Sequence, residues 1–159
     1  MSLTPRTQYC QNSPKTVAGT TFNGRSLSPF NDLAPRRQTN TITWCAPNSQ
    51  TYVVISILHG IPGHAVSDML HGALQLITDT VDVFGDGNME VHTGGEIFRW
   101  LQGGIALTVQ NANNHQTTWG VLGAAIFAVG DCMFANIAEW AVSFRIVDGG
   151  NLVGIGTIG

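Results

Sequence analysis

The sequence is poor in charged residues and in long apolar runs, and each shortage removes a class of protein. Only 11% of its 159 residues are charged, whereas soluble domains carry roughly 25%. The longest apolar helical stretch, residues 119–130, is shorter than the roughly 18 residues of a membrane-spanning helix, so no span is expected. Residues 1–15 lack the apolar segment of a secretory leader. We therefore expect either a secreted protein whose leader has been removed or an intracellular, cytoplasmic one.

Basic residues are scarce outside the N-terminal part of the chain. Counted from Lys, Arg, Asp and Glu, residues 1–38 carry a net charge of +4 and residues 39–159 a net charge of −7. Arg99 and Arg145 are the only basic residues of the second part. Because phosphate backbones are bound by clusters of Lys and Arg, we expect no nucleic-acid partner.

The chain has 3 cysteines, and their spacing fits no zinc motif because no C-x-x-C is present. Cys132 lies in an apolar helical stretch and is predicted to be a buried free thiol. Cys10 and Cys45 lie outside the predicted helices. The sequence leaves open whether these two form a disulfide.

Residues 1–38 are predicted to be an irregular basic tail, and residues 39–159 a single domain. The tail is rich in Ser, Thr, Pro, Asn and Arg and has no periodicity. It ends near the dibasic pair Arg36-Arg37, which has two interpretations. The pair is either a processing site for a furin- or kexin-like protease, which would make the tail a pro-segment, or two solvated arginines near a domain boundary.

From Thr39 onward the pattern becomes regular. Alternating or β-branched runs predict seven strands, and two helices are predicted at about 64–84 and 115–135, the second with N-cap candidates in "NANN". A hairpin is expected at the Gly94-Gly95 turn and another at "DGGN". The seven strand segments are "TNTITWC", "TYVVISIL", "MEVHT", "EIFRWL", "IALTVQ", "EWAVSFRIV" and "LVGIGTI".

A weak internal repeat indicates how these elements combine. A shift of 51 residues places His64 on His115 and the strand 53–58 on the strand 104–109. Each half has the order strand, loop, helix, strand. This order predicts an α+β fold, a two-layer sandwich with both helices on one face of an antiparallel sheet. The arrangement would be a split βαβ, ferredoxin-like or killer-toxin-like, with extra hairpins at the sheet edges.

The stretch "HGIPGHAVSDMLHGALQL" concentrates three histidines and an aspartate and is the most reactive-looking part of the chain. At 100° per residue, His64, Asp68 and His71 lie on the stripe opposite the apolar face, which runs from Val66 to Phe84. A solvated helix face is therefore expected. The alternative is a divalent metal site formed by His64, Asp68 and His71 with His59.

Two further groups of residues are candidates for function. Glu90 and His92 share one face of a predicted strand, and Glu96 follows across the turn, so the three could act in general acid–base chemistry or form a solvated hairpin face. The second helix is apolar nearly all round, so it is either a central helix covered by the sheet and loops or a surface for self-association. Its expected contact residues are Trp119, Gly120, Ala124, Phe127 and Ala128.

The segments "NNHQTTWGVLGAAIFAV" and "SFRIVDGGNLVGIGTIG" resemble small, uncharacterised proteins of filamentous fungi, many of which have secretion leaders. The split βαβ pattern is also similar to the killer-toxin-like fold of fungal effectors. The resemblance implies a secreted, leader-processed, non-enzymatic protein. Those effectors are usually rich in disulfides, whereas this chain has only 3 cysteines.

Together these observations predict a non-catalytic, secreted domain that binds a partner or assembles with itself, most simply as a homo-oligomer, without a cofactor. One alternative is a small metal-assisted enzyme that uses the His59, His64, Asp68 and His71 cluster or the Glu90, His92 and Glu96 group. The other alternative is an intracellular structural protein, in which all the thiols would be free.

Overall fold

The computed structural model describes residues 9–21, 41–87, 97–113 and 117–159. Within them the chain forms a six-stranded antiparallel sheet with two helices packed on one face, and a separate two-stranded hairpin. The predicted α+β sandwich is confirmed. No helix in these ranges is long and apolar enough to cross a membrane.

The elements follow the predicted order closely. The small hairpin consists of β1 and β2, and the sheet of β3 to β8. Helix α1 follows β4, and helix α2 follows β6. Their bounds are β1 Tyr9–Cys10, β2 Ser13–Val17, β3 Thr41–Cys45, β4 Thr51–Gly60, α1 Ala65–Phe84, β5 Ile97–Gln102, β6 Ile105–Asn111, α2 Trp119–Ala135, β7 Trp140–Asp148 and β8 Asn151–Ile158.

The strand order is β3-β4-β7-β8-β6-β5. In β6-α2-β7 the helix joins two strands that lie on either side of β8, which is a split βαβ unit. In β4-α1-β5 the two strands are separated by three others. The last strand of the chain therefore lies inside the sheet, whereas the sequence analysis placed the additional strands at its edges. A strand in the middle of a sheet gains hydrogen bonds on both sides, and β8 pairs with both β7 and β6.

Alternating side chains of the strands and the inner sides of both helices form one core. Helix α1 packs on the β5–β6 side of the sheet and α2 on the β3–β4–β7 side. The indole nitrogen of Trp44 on β3 donates to a carboxylate oxygen of Asp131 on α2 at 2.9 Å. This hydrogen bond joins the sheet to α2 at the edge of the core.

Helix α1 confirms the predicted amphipathic pattern except at its end. Val66, Met69, Leu70, Ala73 and Ile77 are buried. Phe84, which was assigned to the same apolar face, is 65% exposed. The last buried residue of the helix is Ile77, so its final turns contribute little to the described core.

Helix α2 begins four residues later than expected, because its cap is Thr118 and not an asparagine of "NANN". The Thr118 hydroxyl accepts a hydrogen bond from the Val121 amide at 3.2 Å. The Asp86 carboxylate, from the turn after α1, accepts one from the Gly120 amide at 2.8 Å. An acidic group at a helix N-terminus is favourable, so both contacts fix the start of α2.

Part of the segment predicted as an irregular tail forms the β1–β2 hairpin. Cys10 is bonded to Cys45, with their Cα atoms 5.6 Å apart, and Asn12 exchanges hydrogen bonds with the backbone of Cys45 at 2.8 and 3.0 Å. The open question about this disulfide is thus answered. Cys132 is a buried free thiol, as predicted, and burial raises the pKa of Cys132 to about 12.

Several predictions fall outside the described residues. They include the strand "MEVHT" with its Gly94-Gly95 turn, the group Glu90, His92 and Glu96, and the dibasic pair Arg36-Arg37. The predicted boundary between tail and domain, at residue 38, lies outside the described residues as well.

Gly156 of β8 faces the core directly below the ring of Phe144 on β7, its partner in register. A Cβ added at this glycine would overlap the Phe144 ring. We expect Gly156→Ala to lower the free energy of unfolding by about 1–3 kcal/mol, as overpacking of a filled core does. Gly150→Ala is the matched control, since no atom lies within 4 Å of the added group. Urea denaturation measures both, and equal effects would contradict this packing.

Candidate functional site

A groove lies between the N-terminal half of α1 and the C-terminal half of α2. Its volume is about 1310 Å³. The floor is apolar and contains Leu70 and Leu74 from α1 and Ile126 and Met133 from α2. Polar groups lie around it, and these are His64, Ser67, His71, Asp131 and Glu139.

Two glycines bring the floor of the groove together. A Cβ on Gly123 would contact Ile77 at 3.3 Å, and one on Gly130 would contact Leu70 at 3.7 Å. Because both lie on the side of α2 that faces α1, the two helices approach closely. Beyond this contact the side chains of the two helices diverge and leave the groove open.

Three large apolar side chains of the groove are turned to solvent. Phe127 is 46%, Phe134 85% and Ile137 94% exposed. Trp140, at the start of β7, completes this wall and is half-buried. Scattered apolar side chains are common on surfaces, but a contiguous apolar patch with a polar border is typical of an interaction site.

Ile137 is also unusual in its backbone. It follows α2 with a φ of +51°, a left-handed conformation that glycine or asparagine normally occupies after a helix. For a β-branched residue this costs roughly 1–2 kcal/mol. Because its side chain is exposed, isoleucine gains little burial here in compensation. Strained residues of this kind cluster at functional sites.

Glu139 holds one end of the groove together. Its carboxylate accepts a hydrogen bond from the Ser67 amide in the first turn of α1 at 2.6 Å and lies 3.7 Å from the Nδ1 atom of His64. Its backbone carbonyl accepts a bond from Ile61 at 2.8 Å. Since the N-cap residue His64 makes no side-chain cap of its own, Glu139 supplies the cap from another element.

The predicted metal ligands do not form a set. His64, Asp68 and His71 are exposed on α1, as the solvated-face interpretation expects, and the ring of His59 lies against the carbonyl of Gly60 at 3.1 Å. Among the described residues, no three His, Cys, Asp or Glu side chains are placed to share an ion. The metal-site hypothesis gains no support from this geometry.

The geometry gives no support to nucleophilic catalysis either. Ser67 and His64 adjoin Glu139, but the Ser67 hydroxyl donates to the backbone carbonyl of His64 at 3.1 Å and not to its ring. The side chain of His64 is 91% exposed, whereas catalytic groups usually occupy partly buried positions.

The predicted contact residues of α2 have separate locations. Trp119 and Ala128 are buried in the core, at 3% and 0% exposure, so neither presents a surface. Gly120 leaves space for the Asp86 carboxylate, and Ala124 is half-buried. Phe127 alone lies in the groove.

Sequence analysis missed Phe134, Ile137 and Trp140. The pattern carried one usable signal, because apolar residues continue through "FANIAEW" after the helix should have ended. A segment between a helix and a strand is normally polar, so this run is out of place.

Comparison with protein-family models, with curated proteins and with solved structures gives no significant match. The resemblance to secreted fungal proteins thus stays a prediction.

The cap supplied by Glu139 is testable by removing the carboxylate. We expect Glu139→Ala to lower the free energy of unfolding by about 1 kcal/mol, the usual effect of losing a helix cap. Amide exchange should accelerate at Ser67. Asp68→Ala is the control, since this acidic residue of the first turn is exposed. Equal losses in urea denaturation would mean that the cap contributes nothing specific.

Proposed function

We propose that the chain is a non-catalytic, extracellular binding domain whose recognition surface is the groove between α1 and α2. One observation carries the proposal: Ile137 holds an exposed β-branched side chain in a left-handed backbone conformation at the groove. The left-handed backbone ends α2, since the Ile137 and Ala138 amides donate to the Phe134 and Met133 carbonyls at 3.1 Å, but the exposed isoleucine side chain contributes nothing to these bonds. A bound partner that covers the side chain would account for it.

The occupant that best fits the groove is an amphipathic helix of a protein partner. Pockets for small ligands hold roughly 300–1,000 Å³, and this groove is larger and open. Its walls are helices and the start of a strand, so an extended peptide has no strand edge to join. Apolar side chains spaced along one helix face would contact Phe127, Phe134 and Ile137, which is the helix-in-groove mode of recognition.

The disulfide supports the extracellular part of the proposal. Disulfides persist in oxidising compartments and are rare in the cytosol. Cys10–Cys45 also joins two regions 35 residues apart in sequence, and cross-links of this kind stabilise small secreted domains.

A displayed library of helical peptides tests the groove. We expect selection on the full, oxidised chain to enrich sequences with apolar residues at i, i+3 or i+4 and i+7. Ile137→Asn should abolish binding of the selected peptides while leaving the chain at least as stable, because asparagine tolerates the left-handed conformation. Binding is measured by fluorescence anisotropy and stability by urea denaturation.

The control is Val83→Asn, which changes an exposed β-branched residue on α1 outside the groove. It should leave peptide binding unchanged. A selection that enriches no helical pattern, or peptides that bind Ile137→Asn as tightly as the original chain, would overturn the proposal.

The disulfide makes the hypothesis of proteolytic cleavage after Arg37 more specific. Arg36-Arg37 lies between Cys10 and Cys45 in sequence, so cleavage after Arg37 would leave residues 1–37 attached to residues 38–159. We expect the intact mass of protein from the culture medium of producing cells to equal the uncut chain plus one water. Reductant should separate two pieces. A single chain after reduction would contradict processing, and free thiols at Cys10 and Cys45 would contradict the extracellular assignment.

A further inference from the structure

Among the described residues, only the β1–β2 hairpin covers part of the sheet face opposite the helices, and we call the rest the open face. Outward side chains include a row of hydroxyls in register across four strands, Ser56, Ser143, Thr157 and Thr108. Exposed apolar residues lie around this row, namely Leu58, Ile97, Leu101 and Ile155. The β1–β2 hairpin lies at one end of this face, where it packs against Cys45 and Tyr52 and the Gln11 amide donates to the Thr43 carbonyl at 2.8 Å.

Charge is segregated between the two sides of the domain. Arg99 lies between the inward Phe98 and Trp100, and Arg145 between the inward Phe144 and Ile146, so both arginines are on the open face. No acidic residue of the described part lies on this face. The acidic residues lie on the helices, in the connections or at the end of β7, where Asp148 accepts a bond from Thr51.

A complementary surface lies on α1 of the same chain. Asp68, Asp79 and Asp82 are exposed along its outer side, and Leu76 and Val83 lie beside them. We call these five residues the acidic α1 patch. At 100° per residue, the patch is centred roughly 130° around the helix from the residues that line the groove. The two surfaces of α1 are therefore separate.

We propose that the open sheet face of one copy docks on the acidic α1 patch of a second copy. Both surfaces combine exposed apolar side chains with charge, and the charges are opposite. Because the two surfaces differ and lie on different sides of one chain, the contact is head-to-tail. Such a contact extends into longer assemblies unless its rotation closes a ring.

The spacing of the charges fits this contact. Arg99 and Arg145 are separated by three strand positions and two residues along a strand, which places their Cα atoms about 16 Å apart. Asp68 and Asp79 are 11 residues apart on α1, which corresponds to about 17 Å along the helix axis. Both arginines can therefore meet both aspartates in one orientation.

Sedimentation velocity on the full, oxidised chain tests the contact. The sedimentation coefficient should rise with protein concentration and fall with added salt. Arg145→Glu and Asp79→Lys should each weaken self-association by roughly tenfold or more, since like charges then face each other. An equimolar mixture of the two variants should associate again, because each retains the surface that the other has lost.

Lys15→Glu makes the same change in net charge as Arg145→Glu, but on the exposed side of β2, and should have no effect. A chain that stays monomeric over the concentration series, a mixture that does not associate, or an equal effect of Lys15→Glu would each overturn the contact. This proposal is independent of the groove, so Phe134→Ser should leave association intact. If Phe134→Ser abolished it, copies would be meeting through the groove, and the sheet-face contact would be wrong.

Discussion

The carboxylate of Glu139 connects the parts of the chain that define the groove. It lies in the connection just before β7 and reaches across to the first turn of α1, where it accepts a hydrogen bond from the Ser67 amide at 2.6 Å. The helix N-terminus has no cap from its own side chains, and an anion there is stabilised by the exposed amides and the helix dipole. The position of Ile137 and Phe134 relative to α1 follows from this link, since both lie just before Glu139 in the chain.

The sequence predicts the elements better than it predicts their arrangement. The 3.6-residue period placed Val66, Met69, Leu70, Ala73 and Ile77 in the core correctly, because that signal is local. The position of β8 is not a local property, since any strand with its pattern fits either the edge or the middle. Space for β8 depends on Gly156 lying under the Phe144 ring, a contact between strands that no periodicity reveals.

The candidate site also depends on contacts between elements that the sequence pattern does not reveal. The apolar character of α2 led to a prediction of self-association, with Phe127 among the contact residues, and Phe127 does line the groove. Gly123 and Gly130 are the small residues that face α1, whereas the small residues predicted at the contact surface were Gly120, Ala124 and Ala128, the last of which is buried. Which side of an apolar helix meets its neighbours depends on the layer beneath it. Ile137 and Phe134 were missed because their exposure is set by where α2 ends.

A two-layer fold covers only one face of its sheet, so the outer face and the outer helix sides must be kept compatible with water or used for contact. Here the hydroxyl row keeps the centre of the outer sheet face polar, while apolar residues remain around it. The Cys10–Cys45 bond fastens the hairpin over one end of that face; in the chain-entropy model a loop of this length contributes about 4 kcal/mol. The disulfide thus fixes how much of the face stays open, while the groove on the helix side is shaped separately by Glu139 and the two glycines of α2. The groove and the open sheet face therefore have independent structural supports.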